Sequence, residues 1–121
     1  MANDFKRYTI ANVNTSAGAS ASAVYTVPST SSTAMETIVI GITLANTTTT
    51  GVTGSVFIDK FEGTNDVYVV KNASIPAGSS IEVMAGNKLV LQGNGTSNDV
   101  LRVLSSASSS LDATVSILED V

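Results

Sequence analysis

The chain has 121 residues, a formal net charge of −4, 43% hydrophobic and only 13% charged residues, which excludes a disordered polypeptide and predicts one domain, residues 1–121, with its own core. Its six basic residues, Lys6, Arg7, Lys60, Lys71, Lys88 and Arg102, form no cluster beyond Lys6-Arg7, so neither nucleic acid nor an anionic membrane is an expected partner. There is no Cys, His or Trp, which excludes disulfides, thiolate or imidazole metal centres and every catalytic scheme built on a histidine base.

Residues 1–5 of "MANDFKRYTI" read as a flexible N-terminal arm. The segment has no apolar signal-peptide core, so the expectation is synthesis in the cytoplasm without a cleaved leader. No window downstream carries a sustained helical stripe, whereas strand patterns follow one another. "KRYTIANV" (6–13) puts Tyr8 and Ile10 on one face, and "SAVYTV" (22–27) stops at Pro28. "ETIVIGITLA" (36–45) is apolar almost throughout and reads as a central strand packed on both faces. "TTTT" (47–50) lies between strands of one domain, so it is a loop, and its β-branched residues predict an extended, stiff course. "GSVFIDK" (54–60) alternates Val56 and Ile58 against Phe57, and "DVYVVKN" (66–72) follows a turn. "SIEVMA" (80–85) and "KLVLQ" (88–92) flank "AGNK", which reads as a tight hairpin. "DVLRVLS" (99–105) and "DATVSILED" (112–120) complete the series.

Short strands at this spacing predict an all-β fold, a two-sheet antiparallel β-sandwich of about seven to nine strands, immunoglobulin-like or jelly-roll-like. The expected core comprises Ile40, Ile42, Val56, Ile58, Val69, Val83, Leu89, Leu91, Val103, Val115 and Ile117. Tyr8, Tyr25 and Tyr68 lie within strands, where packing is the default.

The chemistry-bearing residues are sparse. No G-x-S-x-G, S-x-x-K or P-loop pattern occurs, so no catalytic residue and no cofactor site is assigned, and the chain reads as a non-enzyme. Oxygen donors gather at Asp59, Glu62 and Asp66 and at Asn94, Thr96, Asn98 and Asp99, but without EF-hand spacing they read as turn residues rather than as a metal site. With no leader expected, the sequons at Asn14, Asn46, Asn72 and Asn94 are expected to be chance matches rather than acceptors. Ser and Thr make up about a quarter of the chain, well above ordinary usage, and give a polar, nearly neutral surface suited to lying against other protein. The protein-contact candidates are the neutral loop Thr47, Thr48, Thr49 and Thr50 and a surface pair, Phe57 and Phe61.

The phrase order "VYVVKNASIPAGSSIEVMAGNKLVLQGNGTSNDVLRVLSSASSSLDATVSILED", with the opening "FKRYTIANVNTS…AVYTVPSTSST", resembles small virion structural proteins of tailed bacteriophages, especially marine and cyanobacterial phages. The resemblance covers most of the chain and is one of style, not of catalytic motif. It implies a β-sandwich accessory part of a virion, with the major capsid protein, other virion proteins and copies of itself as partners. A capsid decoration or cement protein is the leading expectation. A tail, collar or fibre-base component is the second. A carbohydrate- or host-surface-binding module is the third.

Overall fold

Alternation along the sequence is converted into nine strands in a computed structural model that describes residues 3–28, 35–60, 66–84, 88–93 and 97–120. They are β1 (Asn3–Ile10), β2 (Ser22–Thr26), β3 (Met35–Asn46), β4 (Val52–Asp59), β5 (Val67–Ile75), β6 (Ser80–Glu82), β7 (Leu89–Gly93), β8 (Val100–Ser105) and β9 (Leu111–Asp120). The only helical element among the described residues is one 3-10 turn, Gly18–Ser20. Residues 3–5, expected as an arm, belong to β1, where they pair with residues 118–120 of β9.

The strands form two antiparallel sheets. The large sheet runs β1-β9-β3, with β6 and β7 both on the far edge of β3, and the small sheet runs β2-β8-β4-β5. β6 and β7 lie end to end along β3, opposite Thr43–Ala45 and Met35–Val39 respectively. They act as one interrupted strand and do not pair with each other, which corrects the hairpin expected at "AGNK"; residues 85–87 of that stretch lie outside the described residues. With β6 and β7 counted once, the first strand pairs the last, the second pairs the second-last, and so on inward. That doubled ribbon wrapped into two sheets is the jelly-roll topology, and it decides between the two sandwich types expected.

The core lies between the sheets. β9 sends Leu111, Ala113, Val115 and Ile117 inward, and β8 supplies Leu101 and Val103 from the opposite side, all at most 1% exposed. Burying each large apolar side chain contributes about 1.5–3 kcal/mol relative to leaving it in water. Of the expected core, Ile42, Val56, Ile58, Leu91, Val103, Val115 and Ile117 are buried, and Val69, Val83 and Leu89 pack half-buried at its margin.

Ile40 is the exception, 39% exposed. β3 carries a bulge between Val39 and Gly41, opposite Ile117 and Ser116. The extra residue switches the alternation, so Thr37 and Val39 point inward before it and Ile42, Leu44 and Asn46 after it. Ile40 is the residue left without a place in either register. The same strand was expected to be packed on both faces; its outer positions Glu36, Ile38, Thr43 and Ala45 are all incompletely buried. Across the break in the opposite edge, Glu82 bridges the irregularity: its Oε1 accepts from the Ile42 amide at 3.0 Å and its Oε2 from the Thr43 hydroxyl at 3.1 Å.

Candidate functional site

The β3–β4, β5–β6 and β8–β9 connections meet at one end of the sandwich, and Asn46 ties them together. As the last inward residue of β3 it is 3% exposed. Its Nδ2 faces the carbonyl oxygens of Thr50 at 2.8 Å and Ile75 at 3.0 Å, while its Oδ1 accepts from the Thr48 amide at 2.9 Å. Backbone bonds complete the knot: Asn46 N–H to Ser79 O (2.8 Å), Thr47 N–H to Ser110 O (2.9 Å) and Gly78 N–H to Thr48 O (3.2 Å). The Thr48 hydroxyl stands 2.7 Å from Asn46 Oδ1 and 2.9 Å from Thr50 O, either of which can take its single proton.

The threonine run is therefore a compact bend and not the extended segment expected from its β-branched residues. Side-chain-to-backbone bonding at an Asn followed by Thr outweighs the rotamer preference. Thr47, Thr49 and Thr50 are exposed and Thr48 is half-buried, so their hydroxyls are presented on a pre-tied surface. Residues 46–51, 76–79 and 106–110 hold no charged residue and no aromatic ring. Asn46 also falls in a sequon, yet its amide nitrogen is fully engaged in the fold.

The second contact candidate is corrected. Phe57 is completely buried. It points away from the central core, on the outer side of the small sheet, where the Tyr68 ring lies 5.1 Å away and Arg102 is its cross-strand neighbour. Phe61 lies outside the described residues, so the structure gives no Phe57/Phe61 surface pair. Tyr68, expected to pack, is 37% exposed and carries Lys71 Nζ 4.9 Å from its ring centroid.

Of the oxygen donors in the two loops, Asp59 and Asp99 make structural bonds, while the buried Asn98 Oδ1 has no hydrogen-bond partner among the described residues. Asp59 pairs with Arg102 Nε at 3.0 Å. Asp99 is buried, and its Oδ2 accepts from the Gln92 amide at 2.8 Å. Asn94, Thr96 and Glu62 lie outside the described residues, and among those described no three acidic residues gather as a metal-binding group.

A buried polar chain joins the two sheets at the opposite end, and neither composition nor motif search pointed to it. Glu119 continues the inward series of β9 and is 1% exposed. Lys6 Nζ donates to its Oε1 at 2.8 Å and Tyr25 Oη to its Oε2 at 2.6 Å, while Tyr25 Oη and Thr37 Oγ1 share a bond of 2.8 Å. Burial pushes the Glu119 carboxyl up, but the bonds from Lys6 and Tyr25 outweigh it and hold the group below its ordinary value of 4.5. Burial, reinforced by the bond to Glu119, raises the Tyr25 phenol well above 10. The signal was present in the period of two in "LDATVSILED", which places Glu119 on the face of Val115 and Ile117.

On the outer side of the small sheet, Thr15, Thr53, Ser55, Asn72, Leu104 and Ser106 line a shallow depression of about 240 Å³, smaller than the ~300–1,000 Å³ of ordinary ligand pockets. The buried Ser55 Oγ in it already accepts from the Asn72 amide at 2.9 Å. Compared with protein-family models, curated protein sequences and solved structures, the chain finds no match.

Proposed function

We propose that this chain is a non-enzymatic structural protein of a tailed-bacteriophage virion, a capsid decoration or cement protein that binds the outer capsid lattice and stabilises it. The observation that supports this reading most directly is the Asn46-centred loop end. A surface that is bonded into shape before it meets a partner does not pay ~1–2 kcal/mol for each backbone residue ordered on binding. Its neutral hydroxyls add no charge to be desolvated. Thr47, Thr49 and Thr50 are the exposed contact residues, the major capsid protein is the partner, and the virion is the place of action.

The jelly roll serves viral capsids and lectins alike, so the fold is an analogy and not an argument for either. Sugar sites in lectins stack aromatic rings on the ligand, and the loop end carries none, which favours a protein partner. A tail, collar or fibre-base position is the remaining alternative within the same class.

Two measurements test the reading. Density for the chain on capsomers in cryo-EM of intact particles is the expected result; density on the tail transfers the proposal to the alternative, and absence from the particle overturns it. The combined variant Thr47→Gly, Thr48→Ser, Thr49→Gly, Thr50→Ser keeps the hydroxyl that bonds Asn46, so the free domain should melt close to wild type while its occupancy on washed particles falls. Unchanged occupancy removes the loop from the contact.

A further inference from the structure

The outer face of the large sheet carries an apolar row that no element among the described residues covers. Phe5 of β1 is the cross-strand partner of Leu118 of β9, Leu118 of Ile38 of β3, and Ile38 of Val90 of β7. One line of side chains thus crosses four strands. Phe5 is 77% exposed and Val90 52%, and Ile40, displaced by the bulge, adds a further 39% exposed residue. Among the described residues these three are the larger part of the exposed large apolar side chains, and they share one face. A contiguous apolar surface of this kind marks an interaction site.

The flanks of the row differ in charge. Two residues along from Phe5 and from Val90, on the same side of the row, are Arg7 and Lys88; both are exposed, and they outnumber the nearby carboxylate of Glu82, which is engaged by the Ile42 amide and the Thr43 hydroxyl. On the other side lie Glu36 and Gln92, cross-strand partners and both exposed. The ion pairs among the described residues are Lys6–Glu119 and Arg102–Asp59, so Arg7, Lys88 and Glu36 remain available to an incoming surface.

We propose that this face is the self-complementary interface of a two-fold homodimer. A half-turn about an axis parallel to the row, with the two sheets face to face at ~10 Å, lays the apolar row of one copy on that of the other. It also exchanges the flanks, so the basic side of each copy meets the acidic side of its mate. Glu36 then faces the partner's Lys88 across an offset of one strand spacing, ~4.8 Å, within reach of a lysine stem. A half-turn about the perpendicular in-plane axis would instead set Arg7 against the partner's Lys88, and like charges exclude it. Four strands and about eight residues cover roughly 20 by 27 Å in projection, the footprint scale of the ~800 Å² per partner that a specific interface buries. Each copy uses the face once, so the assembly closes at two. This surface is distinct from the Asn46 loop end, and the proposal stands or falls independently of the virion reading.

Sedimentation equilibrium on the purified chain at loadings up to about 100 μM is expected to show a monomer–dimer equilibrium. Val90→Lys and Phe5→Ser, both at exposed positions, should each weaken dimerisation at least about tenfold with melting of the monomer unchanged. Glu36→Lys and Lys88→Glu should each weaken it too, and the double exchange Glu36→Lys/Lys88→Glu should restore it, a rescue that only the cross-pairing explains. A wild-type chain that stays monomeric throughout this range overturns the proposal, as does a dimer indifferent to Val90→Lys. Dimers weakened by the single charge changes but not restored by the exchange overturn the proposed two-fold.

Discussion

Glu119 occupies a core position in the register of β9, and the fold keeps it ionised there only because Lys6 and Tyr25 both bond to it. A buried carboxylate without such partners would cost several kcal/mol. Because its folded pKa lies below 4.5, its contribution to stability is complete above that value and is lost as pH falls through the lower folded value. Tyr25 works in the opposite sense: with its folded pKa raised above 10, its contribution is complete below 10 and declines as pH rises beyond it. Replacing Tyr25→Phe removes one bond to a charged acceptor and should cost about 2 kcal/mol at neutral pH. In urea titrations the gap to wild type should narrow as Glu119 is protonated, and the wild type's alkaline decline from this group should be missing in the variant. A gap that stays constant as pH falls from neutral to below the ordinary carboxyl value of 4.5 would show that packing and not the bond is responsible.

The strands themselves were legible: all nine segments read from apolar alternation and turn residues became strands, displaced by a few residues at their ends. What the alternation could not show was its own interruption. Ile40 is as apolar as Val39 and Ile42, and nothing in "IVIGI" except Gly41 hints that the chain gains a residue there. The break between β6 and β7 was hidden for a related reason. "AGN" has hairpin chemistry, and only the pairing of both segments with β3 reveals that they share an edge. The threonine segment was read correctly as a loop but its shape was misjudged, because the residue that bends it, Asn46, sits at the end of a strand. Phe57 was placed on the correct outward face and yet is buried, since Tyr68 and Arg102 flank it there. Asn46 carries the next prediction. Asn46→Ala removes the acceptor of the Thr48 amide and the donor to the Thr50 and Ile75 carbonyls and should cost about 2–3 kcal/mol. Amide exchange at Thr48 and Gly78 should accelerate with it while β9 stays protected; equal acceleration in both regions would mean that Asn46 supports the whole fold rather than its loop end.

At the scale of the molecule, the jelly roll pairs strands in the order most distant in sequence. β9 is the centre of the large sheet, between β1 and β3, so the first and last strands must meet before that sheet exists. Topologies dominated by such non-local pairs fold in milliseconds to seconds. Stopped-flow refolding of this chain should fall in that range, and a microsecond phase accounting for most of the signal would be inconsistent with a sheet closed by β9. The closing of the core also sets the penalty for opening it: Leu101→Ala, at a fully buried position, should cost about 2–5 kcal/mol in equilibrium unfolding.

The bulges and breaks have one more effect, on the rims of the sheets. Each sheet has two lateral edges, and an intact edge strand is a template on which another molecule can add its own backbone and start a fibre. Here β2 changes register between Ala23 and Tyr25, β5 changes register twice against β4, and the β6–β7 edge is interrupted. β1 is the one uninterrupted rim, and it carries an inward-pointing Lys6 already committed to Glu119. A chain so rich in strand-forming residues thus leaves one continuous rim for a stranger to copy, and irregular backbone obstructs edge addition on the other three.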